Sequence, residues 1–334
     1  MDMMQSPEQD EIERTVAAFL TEKFPVRGHG HSFKRTEPEI ADELWQECCN
    51  LGWLSLGLSE DAGGVGYGLA EEAILFRELG RGLAPGPFLS GVLAAHVAAA
   101  AGDHELVAKI ISGEVRVALA TPLNADEASA SFSGDISLVH TERADYAVMI
   151  TPDKSAIYAM ENVAVEQVDS VDISLAVGRA KFDNVHALHL VDSGASSLYE
   201  RALILAAAIS VGMAIEVMRI SVEYSKTREQ FGKPIGSFQA LKTYAAYMAS
   251  RCELAESQLF FAALAVEARF ESARSEALAA RFNANEAARM NGEHAIQIHG
   301  GYGYTTEYTP YRFVTRNHVI ERIITLRSAV IDAI

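Results

Sequence analysis

Apolar residues recur at helical spacing along the first third of the chain. The spacing of Ile12 and Val16 predicts a first helix, which Ser6 and Gln9 begin as a capping box. Further helices are predicted over residues 40–51, 69–79, 89–101 and 105–112, with a glycine-rich loop at 60–68. The pattern therefore predicts a helical domain over residues 1–112.

From Arg116 onward the pattern changes to short runs that are rich in β-branched residues and separated by Asp, Pro and Gly. Such runs are typical of strands. They lie at residues 117–121, 136–141, 146–151 and 155–160, and the last one falls near 185–191. A small middle β domain is expected over residues 113–194.

The last third of the chain contains three long amphipathic segments. They run from Leu198 to Arg228, from Phe238 to Ala268 and from Ser272 to His299. Each exceeds the usual length of a globular helix, and antiparallel packing buries such helices best. We expect a four-helix bundle over residues 195–334. The predicted fold class is α+β and mainly helical: a helical domain, a reduced β domain and a helical bundle.

Composition narrows the range of partners. The net charge of −17 excludes nucleic acid as a partner, because phosphate repels an acidic surface. The N-terminal residues lack a signal-peptide pattern, and charges interrupt the apolar runs, so we expect a soluble cytoplasmic protein without a membrane span. The three cysteines, Cys48, Cys49 and Cys252, have no metal-type spacing, which predicts buried free thiols and no metal site.

One segment with a specific signal covers residues 227–239. Arg228 lies at the predicted end of a long helix, and Gly232 and Pro234 force a turn after it. A guanidinium in this place can bind a diphosphate through two hydrogen bonds, and Phe231 can offer a ring face to an adenine. The residues alone leave a second interpretation open, a helix end with Arg228 in a surface ion pair.

A second segment with a specific signal covers residues 297–308. Gly300 and Gly301 follow a predicted helix end, and the missing side chains allow the backbone to approach a large cofactor. His294 and His299 have no convincing metal partner and are interpreted as surface or hydrogen-bonded histidines. The glycine-rich loop at 64–68 does not fit G-x-G-x-x-G and follows a helix, which excludes a Rossmann site there.

Both segments, in this order and together with residues 53–66 and 77–81, resemble the acyl-CoA dehydrogenase family. The resemblance covers nearly the whole chain and fits the predicted order of three units. It implies FAD as the cofactor, held largely by a neighbouring subunit and contacted through its ADP half. The implied contact residues are Arg228, Gln230, Phe231, Gln239, Gln297, Gly300 and Gly301.

The resemblance also implies α,β-desaturation of an acyl-CoA thioester, in which a carboxylate removes the α-proton. The family places this glutamate at one of two positions, which fall here at Ile324 or Thr325 and at Ala202. Neither is an acid. The nearest acids are Glu321 and Glu200, and Glu200 lies about 200° around the helix from Ala202, so it should face elsewhere. It is interpreted as a first-turn acid favoured by the helix dipole.

The middle domain departs from the family as well. The family's Thr-Glu-x-x-Gly-Ser-Asp stretch is replaced by residues 121–127, and its Trp-Ile-Thr/Ser stretch by residues 147–151, which lack tryptophan. These departures make the chain similar to the short, base-lacking subunit of α2β2 acyl-CoA dehydrogenases that degrade bacterial steroid side chains. A homologous partner would supply the base, and an electron-transfer flavoprotein would accept the electrons. The alternatives are a self-sufficient homomer using Glu200 or Glu321, and a non-catalytic structural relative.

Overall fold

Five helices form the N-terminal part of the protein. The structure is a computed structural model that describes residues 5–26, 37–123, 127–305 and 308–324. The helices are α1 (Pro7–Lys23), α2 (Asp42–Asn50), α3 (Leu69–Arg81), α4 (Phe88–Ala100) and α5 (His104–Ile111). Their bounds lie within two residues of the predicted ones, because apolar periodicity defines each helix.

The predicted capping box at the start of α1 is confirmed. The Ser6 hydroxyl accepts a hydrogen bond from the Gln9 backbone N–H at 3.2 Å. In return, the Ser6 backbone N–H donates to the Gln9 side chain at 2.9 Å. Both donors would otherwise lack an intrahelical partner.

Six strands follow and close into a small barrel. They are β1 (Arg116–Pro122), β2 (Ser131–Val139), β3 (Ala144–Ile150), β4 (Lys154–Ala159), β5 (Val165–Gln167) and β6 (Val177–Asp192). Their order is β2-β1-β3-β4-β6-β5, and a β2–β6 pairing closes the sheet. The interior holds Phe132, Tyr158 and Phe182, whose rings pack with centroids 5.4–6.2 Å apart. The sequence pattern predicted β1 to β4, but it indicated neither β5 nor the full length of β6.

The C-terminal part is the expected helical bundle. Its helices are α6 (Leu198–Thr227), α7 (Gln239–Glu267), α8 (Ala273–His299) and the shorter α9 (Pro310–Ile320). A two-stranded hairpin, β7 (Glu229–Gln230) and β8 (Lys233–Pro234), connects α6 to α7. The mainly helical α+β fold is therefore confirmed.

The prediction that no apolar run is long enough to cross a membrane was wrong for α6. Among the described helices, α6 has the length and composition of a membrane span, and 67% of its most apolar window is buried inside the protein. Helices α3, α7, α8 and α9 all pack against it. The apolar character of α6 follows from this central position, since a helix surrounded by other helices needs few polar residues.

Backbone contact joins the N-terminal helices to the bundle. A Cβ atom on Gly212 of α6 would overlap the carbonyl oxygen of Arg77 on α3, and one on Gly80 would overlap the carbonyl oxygen of Ile209. Only glycine allows two helices to approach this closely. The crossing fixes α3 relative to α6, and both helices contribute residues to the cavity described below.

Candidate functional site

The two segments singled out in the sequence meet at one end of the bundle. Helices α6 and α8 end there, and α7 begins there. The rings of Tyr224 on α6 and His299 on α8 stack with centroids 4.2 Å apart and an interplanar angle of 21°. Antiparallel packing of the three long helices thus brings together residues that are far apart in sequence.

The hairpin between α6 and α7 projects from this end. Phe231 and Gly232 form its turn with φ values of +56° and +76°, as tight hairpins of this kind require. The Phe231 side chain is 92% exposed. Its ring meets Phe238 edge-on with centroids 6.1 Å apart, and the Lys233 ammonium lies 4.4 Å above the Phe238 ring. Phe238 is partly buried beneath the hairpin.

Arg228 lies between α6 and the hairpin. Its backbone N–H donates to the Tyr224 carbonyl at 2.8 Å and ends the helix. Its guanidinium carbon lies 5.8 Å from the centroid of the Tyr302 ring, within the range of a cation–π interaction. In the part of the chain that the structure describes, Arg228 forms no ion pair, so the surface ion pair left open by the sequence is not formed there.

The glycine pair after α8 leaves open space beside Arg228. Gly300 has φ +63°, and a Cβ atom on Gly300 or Gly301 would meet no atom within 4 Å. All seven residues predicted to contact the cofactor are solvent-exposed at this end of the bundle: Arg228, Gln230, Phe231, Gln239, Gln297, Gly300 and Gly301. The end therefore presents a cation, amide groups, an aromatic ring and bare backbone to one region of solvent.

A small cavity is lined by residues that lie near, in sequence, the two positions at which the family places its catalytic glutamate. Ile209, which lies two turns after Ala202 on the same face of α6, lines this cavity. Ile323, the neighbour of Ile324, lines it as well, whereas Thr325 falls outside the described residues. The cavity measures about 30 Å³, and none of its described lining residues is Asp or Glu. This volume is close to the share of one water molecule in the liquid.

Glu200 faces away from that cavity, as the helix geometry predicted. Its Oε1 accepts a hydrogen bond from Arg274 Nε at 2.7 Å. Glu200 lies in the first turn of α6, as expected, but it is only 6% exposed and its partner is Arg274 on α8. Glu200 is thus a first-turn acid, as interpreted from the sequence, and it also forms an ion pair with Arg274, whose side chain is half exposed.

Glu321 also contacts residues that are close to it in sequence. Its Oε1 accepts from Arg322 Nη1 at 2.8 Å and lies 3.3 Å from His318 Nδ1. Burial lowers the pKa of the nearby Arg281 guanidinium to about 10, and the negative charge of Glu321 opposes that shift. Arg281 binds the Ile320 carbonyl at the end of α9. These contacts give Glu321 a role in the end of α9.

Two buried polar pairs beside the cavity were not recognised in the sequence. Arg316 lines the cavity and pairs with Asp172, and its Nη2 donates to the Ser174 hydroxyl at 2.8 Å. Although burial opposes ionisation, the Arg316 guanidinium lowers the pKa of Asp172. His140 Nδ1 lies 2.6 Å from a carboxylate oxygen of Glu39. Because the partners are 101 and 144 residues apart, no local pattern could indicate either pair.

The cysteines and the two C-terminal histidines provide no metal site among the described residues. Cys48, Cys49 and Cys252 are buried free thiols, and burial raises the pKa of each to about 12. His299 Nδ1 lies 2.8 Å from the Ala295 carbonyl oxygen, and His294 lies 3.2 Å from an Arg251 nitrogen. Both histidines thus have protein partners, as interpreted from the sequence.

Comparison with known proteins gives matches at both ends of the chain. The family description "Acyl-CoA dehydrogenase, N-terminal domain" matches residues 6–116, and "Acyl-CoA dehydrogenase, C-terminal domain" matches residues 196–324. Acyl-CoA dehydrogenase IpdE2 of Mycobacterium tuberculosis is 30% identical over 318 residues, which cover 94% of this chain and 92% of IpdE2. Acyl-CoA dehydrogenase FadE34 of the same organism is 29% identical, and this chain spans only 44% of its length.

Solved structures share the fold. A chain of the ChsE4–ChsE5 complex from Mycobacterium tuberculosis superimposes with a TM-score of 0.85 at 23% identity, covering 100% of this chain and 97% of that one. A variant of the Tcur3481–Tcur3483 steroid ACAD gives 0.84 at 24% identity, with 98% and 96% covered. PigA, solved with FAD and proline, gives 0.82 at 19% identity, with 100% and 98% covered. From the two domain matches and the similarity to IpdE2, we conclude that the chain belongs to the acyl-CoA dehydrogenase family.

Proposed function

We propose that this chain is one subunit of a heteromeric acyl-CoA dehydrogenase. In this assembly it contacts the ADP half of FAD, and a homologous partner supplies the catalytic glutamate and the contacts to the flavin ring. One observation carries the proposal. The seven residues proposed as cofactor contacts are all exposed at one end of the bundle, whereas neither Ala202 nor Ile324, at the family's base positions, is an acid.

The residues at the exposed end fit the ADP half of FAD. Arg228 offers a guanidinium without a competing carboxylate among the described residues, and a diphosphate is the ligand that a guanidinium forks onto best. Phe231 presents almost its whole ring for stacking. Gly300 and Gly301 leave space in which the backbone can lie directly against a cofactor.

The chain's own residues have two tasks in this proposal. FAD, when bound, supplies the acceptor for the hydride that leaves the acyl thioester. Arg228 neutralises the charge of the diphosphate, and the amides of Gln230, Gln239 and Gln297 are available as hydrogen-bond donors. A partner that covers this end would remove water from around Arg228, which strengthens its electrostatic interactions.

The similar proteins favour an assembly of two different chains. The ChsE4–ChsE5 complex and the Tcur3481–Tcur3483 steroid ACAD each carry the names of two proteins. By analogy, we propose a homologous partner subunit in an α2β2 heterotetramer and a steroid side-chain acyl-CoA as the substrate class. An electron-transfer flavoprotein as acceptor and a cytoplasmic location remain predictions.

The contacts around the candidate acids oppose a self-sufficient homomer. Glu200 faces Arg274, and Glu321 is bonded within its own turn, so neither reaches toward the cavity in this structure. A base must come within hydrogen-bond distance of the proton that it removes. A non-catalytic relative without flavin would have no use for the exposed contact end.

Flavin content tests the proposal directly. The chain is purified alone and after co-expression with a homologous acyl-CoA dehydrogenase subunit, and the flavin absorbance is measured in both samples. We expect little flavin in the chain alone and about one flavin per pair of chains in the complex. A stoichiometric flavin spectrum from the chain alone would contradict the heteromer.

A further inference from the structure

We propose that Tyr302 is a positioning residue that holds the Arg228 guanidinium in place for the FAD diphosphate. This inference rests on the proposed function, because it concerns how one of the proposed cofactor contacts is prepared. The Arg228 guanidinium carbon lies 5.8 Å from the Tyr302 ring centroid. The ring face is negative, so it attracts the guanidinium and leaves the N–H edges free to bind phosphate.

Tyr302 is itself held by its neighbours. Thr305 binds the Tyr302 carbonyl oxygen twice, through its hydroxyl at 2.9 Å and its backbone N–H at 3.1 Å. The Tyr302 ring packs against Tyr308 with centroids 5.3 Å apart. A tyrosine whose backbone is bonded to Thr305 and whose ring packs on Tyr308 offers a defined surface to the arginine, whereas a free side chain would have to be ordered first.

Further contacts lead from Tyr302 through other aromatic residues back to Arg228, and they link residues 227–239 with residues 297–308. Tyr308 lies edge-on to His299 at 6.5 Å, and His299 stacks on Tyr224 at 4.2 Å. The Tyr224 carbonyl accepts the backbone N–H of Arg228 at 2.8 Å, which returns the circuit to its start. The backbone and the guanidinium of Arg228 therefore both contact the same cluster of aromatic residues.

This arrangement reduces the cost of binding. An arginine side chain loses rotamer freedom when it is fixed, and a guanidinium already held over a ring has lost part of that freedom beforehand. The attraction between ring and guanidinium also grows when a partner and the cofactor exclude water from the site. Tyr302 can therefore increase FAD affinity without contacting the phosphates itself.

Tyr304 provides a matched control. It lies two residues later in the same turn and is 77% exposed, and no arginine lies over its ring in the described part of the chain. A general loss of aromatic surface in this turn would affect both tyrosines. If the support of Arg228 matters, only the replacement of Tyr302 should have an effect.

The test measures the dissociation constant for FAD of the co-expressed complex after flavin removal, by quenching of flavin fluorescence. Tyr302→Leu should weaken FAD binding roughly 3- to 30-fold, and Tyr302→Phe should restore affinity to near wild type because it keeps the ring. Tyr304→Leu should leave affinity unchanged. A thermal midpoint close to wild type in all variants checks that the turn remains folded.

A double variant separates positioning from direct contact with the cofactor. If Tyr302 acts through Arg228, then Tyr302→Leu should add nothing to the loss caused by Arg228→Ala. Additive losses, or an unaffected Tyr302→Leu beside a weakened Arg228→Ala, would overturn the positioning role alone. An unaffected Arg228→Ala would instead refute the proposed diphosphate contact, so the two failures can be told apart.

Discussion

Glu200, which is buried, and Arg274, which is half exposed, form an ion pair between α6 and α8, with Oε1 and Nε 2.7 Å apart. The same guanidinium donates from Nη2 to the Pro152 carbonyl at 2.9 Å, beyond the end of β3. The pair thus connects two helices of the bundle to the β barrel. Glu200 is the acid nearest to Ala202, the base position that the family places on α6. Here it links structural elements and faces away from the cavity.

Replacing either candidate acid should leave turnover of the assembled enzyme nearly intact. Glu200→Gln and Glu321→Gln keep the shape of the side chain but cannot accept the α-proton. Because the proposed base belongs to the partner, steady-state rates of the complex should change less than about 10-fold, whereas loss of a true base costs roughly 10²–10⁴-fold. A hundredfold fall with unchanged flavin content would place the base in this chain.

Glu200→Gln should have a measurable structural effect instead. The amide replaces a charge-assisted hydrogen bond to Arg274 by a neutral one, which should cost about 1–3 kcal/mol of unfolding free energy. Urea denaturation of the variant and wild-type chain measures this difference. Glu223→Gln, on an exposed acid of the same helix, is the matched control and should cost under about 1 kcal/mol. Equal stability of both variants would show that the Glu200 pair contributes nothing.

Arg228→Ala should lower flavin occupancy of the complex without unfolding it. A forked, charge-assisted contact to the diphosphate contributes about 1.5–3 kcal/mol, so FAD affinity should fall roughly 10- to 150-fold. The flavin content of the purified complex and its affinity for added FAD measure the effect. Lys226→Ala removes a nearby exposed cation that pairs with Glu223, and it should leave both quantities unchanged. Equal losses in the two variants would indicate a general effect of positive charge.

Replacement by alanine should destabilise the chain at Gly212 but not at Gly301. Gly212→Ala places a methyl group against the Arg77 carbonyl and forces α3 and α6 apart, which should cost about 1–3 kcal/mol of unfolding free energy or more. Gly301→Ala places it in open space and should leave the stability of the chain unchanged. In the complex, the same methyl group should weaken FAD binding. Thermal unfolding and flavin titration of both variants check the contrast.

The stability of the chain should fall as the pH drops from about 6.5 to about 4. Burial lowers the pKa of His96 to about 4, and its Nε2 lies 3.0 Å from Glu72, whose other oxygen binds Arg201. Between these pH values the unfolded chain binds a proton that the folded chain does not, so stability decreases with falling pH, by up to about 3 kcal/mol. Below pH 4 this histidine causes no further loss.

Urea unfolding at pH 7 and pH 5 tests this dependence. His96→Gln can keep a hydrogen bond to Glu72 but does not titrate, so its stability should change less between the two pH values than that of the wild type. Other acids titrate in both proteins and cancel in the difference. An identical pH dependence of wild type and variant would show that His96 is protonated in the folded state.

The sequence predicted the local features well, because short-range physics determines them. Ser6 and Gln9 lie three residues apart, and the helix bounds follow from apolar spacing. The position of a helix relative to the other elements could not be predicted from the sequence in the same way. Helix α6 was not recognised as long and apolar enough for a membrane span, and only its place among α3, α7, α8 and α9 explains its composition.

For the site, the sequence indicated which residues to consider but not how they are held. The arginine over Tyr302 and the partner of Glu200 depend on helix packing, which joins residues 74 apart in each case. The small cavity depends on how α3, α4, α6 and α9 close around it. The domain limits at residues 112 and 194, and the roles of the seven contact residues, remain predictions.

The exposed ring of Phe231 has a consequence for the life of the chain in the cell. The hairpin presents this aromatic side chain to solvent at 92% exposure, which gives unassembled copies an apolar group that a bound partner would cover. Copies made in excess of the partner should therefore aggregate or be degraded, while assembled copies persist. In the proposed heteromer the partner covers this ring, so balanced expression of the two subunits would limit the number of exposed copies.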